Sequence, residues 1–218
     1  MPIEIQINAV TTLENGVKLF LVNADKVPAP GDFLSELELE KYRSLKIEKR
    51  RGDWLGGRYA AKTLLGGEAA DGKTLRNIEI TCDAWGRPEW SGKLLSITHS
   101  GPFRAAARGP GGIRFLGLDI EKAEPRDPAW YSDYFHKSEL PEPDMDRAAA
   151  LWTQKEAFLK ALGLGLKADP LDIDLSGERP AFSRAALARY TEMGRPSFKT
   201  AVFRPAPGYL LSLAWQNC

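Results

Sequence analysis

The chain has 218 residues, 43% of them hydrophobic and 27% charged, with 20 Gly and 15 Pro, the composition of an ordinary globular protein rather than a fibrous or disordered one. Thirty Lys+Arg against twenty-nine Asp+Glu leave a formal charge of +1, so no global field points to DNA, RNA or an anionic membrane, and any phosphate chemistry must rest on a local cluster. The first ten residues carry Glu4 and no basic or long apolar stretch, and no uncharged apolar run approaches a membrane span, so neither a signal peptide nor a transmembrane segment is expected.

Two cysteines, Cys82 and Cys218, make no disulfide framework, and a reducing cytoplasm is the expected compartment. His99 and His136 are far apart and have no cysteine companions. A zinc site therefore lacks a ligand set, whereas oxygen ligands remain open.

In chain order, Ile3, Ile5 and Ile7 followed by Val17, Leu19 and Leu21 alternate with polar residues. That period predicts a hairpin turned at Glu14-Asn15-Gly16. From Phe33 to Leu65 the apolar spacing becomes helical and stops at Gly66-Gly67. Short strands are expected at 78–80, 94–98, 103–107 and 113–121, separated by Asp-Ala-Trp-Gly-Arg-Pro and Gly-Pro-Gly-Gly. After the aromatic segment Trp130 to Phe135 and the Pro141–Pro143 turn comes a strong helix over 147–162. A final hairpin spans 198–203 and 209–215.

Hairpin, helices, strands, helix, strands is an α+β order. Trp54-x7-Lys62 and Trp152-x7-Lys160 hint at an internal repeat. The halves would then be 1–111 and 112–218, with a ligand cleft between them.

Three clusters carry chemistry. In Gly117-Leu118-Asp119-Ile120-Glu121 a strand points Asp119 and Glu121 to one side and Leu118 and Ile120 to the other. Two adjacent carboxylates suit either a solvated strand face or a hard cation such as Mg²⁺ that also holds phosphate oxygens. In Trp152-Thr153-Gln154-Lys155-Glu156-Ala157-Phe158-Leu159-Lys160, helical spacing puts Trp152, Glu156 and Lys160 on one stripe with Lys155 beside it. This reads as an exposed Glu–Lys pair or as a third carboxylate with phosphate-binding lysines. The third cluster is the basic run Lys41, Arg43, Lys46, Lys49, Arg50, Arg51, Arg58 and Lys62, either a wet helix face or a dock for a polyanion. Gly86-Arg87-Pro88 and Ser96-Ile97-Thr98-His99-Ser100 add a planar guanidinium and a strand-end histidine beside hydroxyls.

Taken together, Gly117 to Glu121, Trp152 to Lys160 with Gly163 and Gly165, Ile97 to Ser100, Gly86-Arg87-Pro88 and Gly57-Arg58 resemble the 4′-phosphopantetheinyl transferases of the surfactin-synthetase-activating type. The likeness covers most of residues 40–170. It implies a cytoplasmic, monomeric enzyme of two similar α+β halves forming a pseudo-dimer, with the active site in the cleft between them. Such an enzyme moves the phosphopantetheine arm of coenzyme A to a serine of an apo acyl or peptidyl carrier protein and releases adenosine 3′,5′-bisphosphate. By resemblance Asp119, Glu121 and Glu156 bind Mg²⁺; Lys155 and Lys160 contact phosphate; and His99, Thr98, Arg87, Lys41, Lys49 and Arg51 hold the nucleotide end. Glu156 and Lys160 are the catalytic pair. Thr98 stands where many members carry serine, and no signature marks the thiol end of coenzyme A. The rival readings are a nucleic-acid-binding module built on residues 41–62, which lacks interleaved aromatics, and a metal-dependent phosphodiesterase using the same carboxylates on water.

Overall fold

The computed structural model describes residues 4–216, so Met1, Ile3 and Cys218 of the sequence reading lie outside the described residues. The chain divides into two compact units, Met1–Gly111 and Gly112–Cys218. Both mix helices with antiparallel strands, an α+β fold.

The first unit begins with a hairpin of β1 (Ala9–Thr12) and β2 (Lys18–Asn23). Gly16 takes φ +77° in the turn, a region open to glycine at no steric cost, and Asn15 Oδ1 accepts the amide of Val17. β1 starts later than the alternating pattern predicts because Asn8 has φ +63° and interrupts the extended run. The predicted helical stretch 33–65 is three helices: α1 (Pro30–Phe33), α2 (Glu36–Ser44) and α3 (Glu48–Gly66). A capping box between Ser35 and Glu38 starts α2, and the extended residues Leu45 and Ile47 separate it from α3.

After α4 (Gly72–Arg76) come β3 (Thr81–Cys82), β4 (Pro88–Trp90), β5 (Lys93–Ser100) and β6 (Phe103–Arg108). Ile78 and Ile80, predicted as a strand, are irregular; both are buried in the core that α3 builds with Phe20, Phe33, Leu64 and Ala106. Their apolarity marks burial rather than strand pairing. The sheet order is β1-β2-β6-β5-β4-β3.

The second unit contains β7 (Leu116–Lys122), α5 (Pro128–Tyr134), α6 (Met145–Leu162), β8 (Ile173–Asp174), β9 (Ala181–Phe182), α7 (Arg184–Glu192), β10 (Phe198–Ala206) and β11 (Tyr209–Gln216). Its main sheet runs β10-β11-β7. A Gly163 cap at φ +77° closes α6, whose Phe158, Leu159 and Leu162 fill a core with Ile173 and Ala214.

Within each unit the same motif recurs. A strand, a long helix and a later hairpin give the order β2-β6-β5 in one and β7-β11-β10 in the other. The register of this repeat differs from the sequence reading, which matched Lys62 with Lys160. Lys62 is fully buried, with its ammonium on Glu38 and on the carbonyls of Phe33 and Leu75 at 3.0 and 3.1 Å. Its counterpart by environment is Lys155, fully buried on Glu139 at 2.7 Å and on the carbonyls of Tyr134 and Pro170 at 3.1 and 3.2 Å. Each glutamate also accepts the amide three residues before it, from Ser35 and His136. Burial pushes both ammonium groups below the usual lysine range, and the paired carboxylates oppose that drop.

Candidate active site

In the second unit the chemistry gathers where α6 crosses β7. Gly117, Asp119 and Glu121 share one face of the strand, and a Cβ on Gly117 would collide with the Ala157 carbonyl. Glycine there lets the helix backbone rest on the strand. One turn of helix from that contact, Thr153 bonds Ser212 at 2.7 Å, and Ser212 is the β11 residue opposite Asp119. The helix is thereby fixed in height and rotation over the carboxylates.

Asp119 is only 5% exposed, which removes the solvated-strand alternative. Lys160 reaches it from α6, with Nζ 2.6 Å from Asp119 Oδ1 and 3.0 Å from the Leu118 carbonyl. Glu156, one turn before Lys160, is also buried, and its Oε1 has no hydrogen-bond partner among the described residues. Burial first, then the negative charges of Asp119 and Glu121, push its carboxyl up to about 7, against the opposing pull of Lys160. The exposed Glu156–Lys160 pair that spacing allows is therefore not what forms.

Among the described residues no three His, Cys, Asp or Glu side chains make a ready cation cage. Mg²⁺ needs no such cage, since it is commonly held by one or two carboxylates with phosphate oxygens and water completing the shell. An orphaned buried carboxylate oxygen on Glu156, beside two further acidic groups that repel it, is a donor set suited to that ion.

Lys155 is corrected by the structure. Helical rotation carries it away from the Glu156–Lys160 stripe into the core, where Glu139 and two carbonyls occupy its ammonium. A phosphate has no access to it.

The first unit holds a cavity of about 600 Å³ whose wall includes Lys49, Arg50, Asp53, Trp54, Arg58 and His99, with Gly86 from the β3–β4 loop and Pro88 from the start of β4. Of the residues expected at the nucleotide end, Lys49 and His99 are here. Thr98 is buried and points to the other face of β5. Arg87 is tied to Asp83 at 2.8 Å, although its neighbours Gly86 and Pro88 line the wall. Lys41 is exposed near the end of α2, and Arg51 sits over the Tyr42 ring. Neither lines this cavity.

Sequence reasoning passed over Asp53, which anchors Lys49 at 2.9 Å and Arg104 at 2.7 Å and faces His99 at 3.6 Å. It read Arg50 and Arg58 as members of the basic run without placing them among the residues of the nucleotide end; both line this cavity, and Arg58 stacks on Trp54 at 4.9 Å. The available signal was Gly56-Gly57 inside a helix, where glycine costs about 1 kcal/mol relative to alanine and needs a packing reason.

Residues 115–212 match the family model of the 4′-phosphopantetheinyl transferase superfamily. That segment contains Asp119, Glu121, Glu156 and Lys160. A fission-yeast protein, the L-aminoadipate-semialdehyde dehydrogenase-phosphopantetheinyl transferase of Schizosaccharomyces pombe, is 34% identical over 105 residues, covering 38% of this chain and 40% of the relative. The chain thus matches well under half of that relative's length. Among solved structures, the holo-[acyl-carrier-protein] synthase of Helicobacter pylori, crystallised with coenzyme A, aligns with a TM-score of 0.38 and 19% identity over 47% of this chain and 99% of that one.

Proposed function

We propose that the chain is a 4′-phosphopantetheinyl transferase of the surfactin-synthetase-activating type. It moves the phosphopantetheine arm of coenzyme A to a serine of an apo acyl or peptidyl carrier protein, acting as a cytoplasmic monomer. The observation that carries this reading is that the segment matching the transferase superfamily, residues 115–212, contains the whole junction of Asp119, Glu156 and Lys160. The fission-yeast relative, itself named a phosphopantetheinyl transferase, supports the same class.

In this reading Asp119 and Glu156, with Glu121, hold Mg²⁺, which when bound draws negative charge from diphosphate oxygens. The serine hydroxyl oxygen forms a bond to the phosphorus that carries the pantetheine arm. The bond from that phosphorus to the leaving phosphate breaks, and adenosine 3′,5′-bisphosphate departs. Glu156, buried beside Asp119, takes the hydroxyl proton directly or through a water. Lys160 faces the charge that grows on the leaving group, and most of the rate comes from positioning and charge stabilisation. The cavity residues Lys49, Arg50, Arg58 and His99 are proposed to take the phosphates of the nucleotide end.

Melting the protein with coenzyme A and Mg²⁺, with coenzyme A and a chelator, and with duplex DNA tests the reading, since a ligand that binds only the folded state raises the transition. Stabilisation is expected with coenzyme A and not with DNA. Stabilisation by DNA alone would favour the nucleic-acid reading instead.

A further inference from the structure

A carboxylate stands out in a cavity whose wall carries Lys49, Arg50 and Arg58. Asp53 lies in α3 with its side chain 8% exposed. Its Oδ1 accepts the Arg104 guanidinium at 2.7 Å, and Oδ2 takes Lys49 Nζ at 2.9 Å and faces His99 Nδ1 at 3.6 Å.

Arg104 is itself held in place. Its other terminal nitrogen donates to the carbonyls of Gly101 and Phe103, both at 2.8 Å. Its stem runs past Gly56, where a Cβ would come within 2.5 Å of Arg104 Cγ. The mid-helix glycine thus opens the passage by which Arg104 reaches Asp53. Arg104 and His99 are also direct partners across β6 and β5. Helix and sheet therefore meet at this one carboxylate.

We infer that Asp53 is a positioning residue: it sets Lys49 and His99 in a fixed array for a phosphate-bearing ligand, with Arg104 as the post that holds it. The inference rests on the proposed binding of coenzyme A for the identity of the ligand, though not for the array itself. Two physical effects give opposite signs here. By charge alone, Asp53 repels an anion, so neutralising it should tighten binding. By geometry, losing the anchor lets a long lysine side chain and an imidazole wander, and ordering them again on binding has an entropic cost. A carboxylate that accepts from a buried guanidinium also sets the position of that guanidinium, which neutral asparagine does less well.

The test compares wild type with Asp53→Asn by calorimetry, using coenzyme A and, separately, inorganic pyrophosphate. Expected is a loss of affinity of about tenfold or more for both, with kcat at saturating coenzyme A nearly unchanged. Equal or tighter pyrophosphate binding by the variant would overturn the inference. If wild type binds pyrophosphate and not coenzyme A, the coenzyme A reading falls, while a loss of pyrophosphate affinity in the variant still supports the array. Binding of neither overturns both.

A second measurement covers the case in which Asp53→Asn does not fold. His99 and His136 are the chain's two histidines, so ring-nitrogen NMR of the wild type separates them. At alkaline pH His99 is expected to carry its proton on Nδ1, the nitrogen that faces Asp53. A bare Nδ1 would show that Asp53 does not orient the ring.

Discussion

Lys160 puts its ammonium 2.6 Å from Asp119 Oδ1, so a cation already sits on one carboxylate of a group in which burial, and then the charges of Asp119 and Glu121, push the Glu156 carboxyl up to about 7. The lysine is part of the electrostatic balance of the site before any ligand arrives. Lys160→Met, which keeps length and removes charge, is expected to lower kcat and kcat/KM by similar factors with little change in KM for coenzyme A. It should also lower the melting temperature more in chelator than in Mg²⁺. A small stability change with normal kinetics would reduce Lys160 to a structural ion pair.

Glu156 gives a pH signature. Its folded-state pKa of about 7 lies above the ordinary 4.5, so the folded protein holds this proton more tightly than the unfolded chain does. The stabilising contribution is full below about pH 4.5 and is lost as pH rises through about 7, amounting to roughly 3 kcal/mol. Glu156→Gln should therefore raise the melting temperature of the metal-free protein at pH 8 more than at pH 5, while abolishing transfer. An equal shift at both pH values would contradict the burial and repulsion seen here.

Lys155 and Lys62 are expected to behave alike, although one lies within the superfamily match and the other outside it. Methionine at either takes the buried lysine from its glutamate, at a cost of about 3–5 kcal/mol for Lys155 on Glu139 and less for Lys62, since Glu38 keeps Arg58 at 3.6 Å; both are read as a lower denaturant midpoint. If Lys155→Met instead melts normally and raises KM, the lysine is a phosphate ligand after all.

His99→Ala should raise KM for coenzyme A more than it lowers kcat, because a contact made equally in ground and transition states affects affinity. Arg87→Ala should raise KM less, since the Arg87 guanidinium is engaged with Asp83. Steady-state kinetics on both variants decides this, and a larger KM effect for Arg87 would show that it leaves Asp83 to grip the ligand.

The α+β order, the β7 carboxylates and the α6 stripe were legible because alternation and 3.6-residue spacing fix which side chains share a face. The direction of Lys155 was not. Spacing placed it beside the stripe, yet its fate depends on Glu139 and on two carbonyls far off in sequence. Asp53 was hidden for a similar reason: no spacing marks an acid inside a basic run, and its role emerges only when β6 brings Arg104 beneath α3. Small elements such as β8, β9 and α7 escaped because their apolar residues are too few to set a period.

The most direct test is to incubate the purified protein with apo carrier protein, coenzyme A and Mg²⁺ and to weigh the carrier by mass spectrometry, with Asp119→Ala run in parallel. The expected result is a gain of one phosphopantetheine arm on the carrier serine, with release of adenosine 3′,5′-bisphosphate, and no gain with the variant. An unmodified carrier across acyl and peptidyl types, from folded protein that binds coenzyme A, or equal modification by Asp119→Ala, would contradict the proposed transfer at this site.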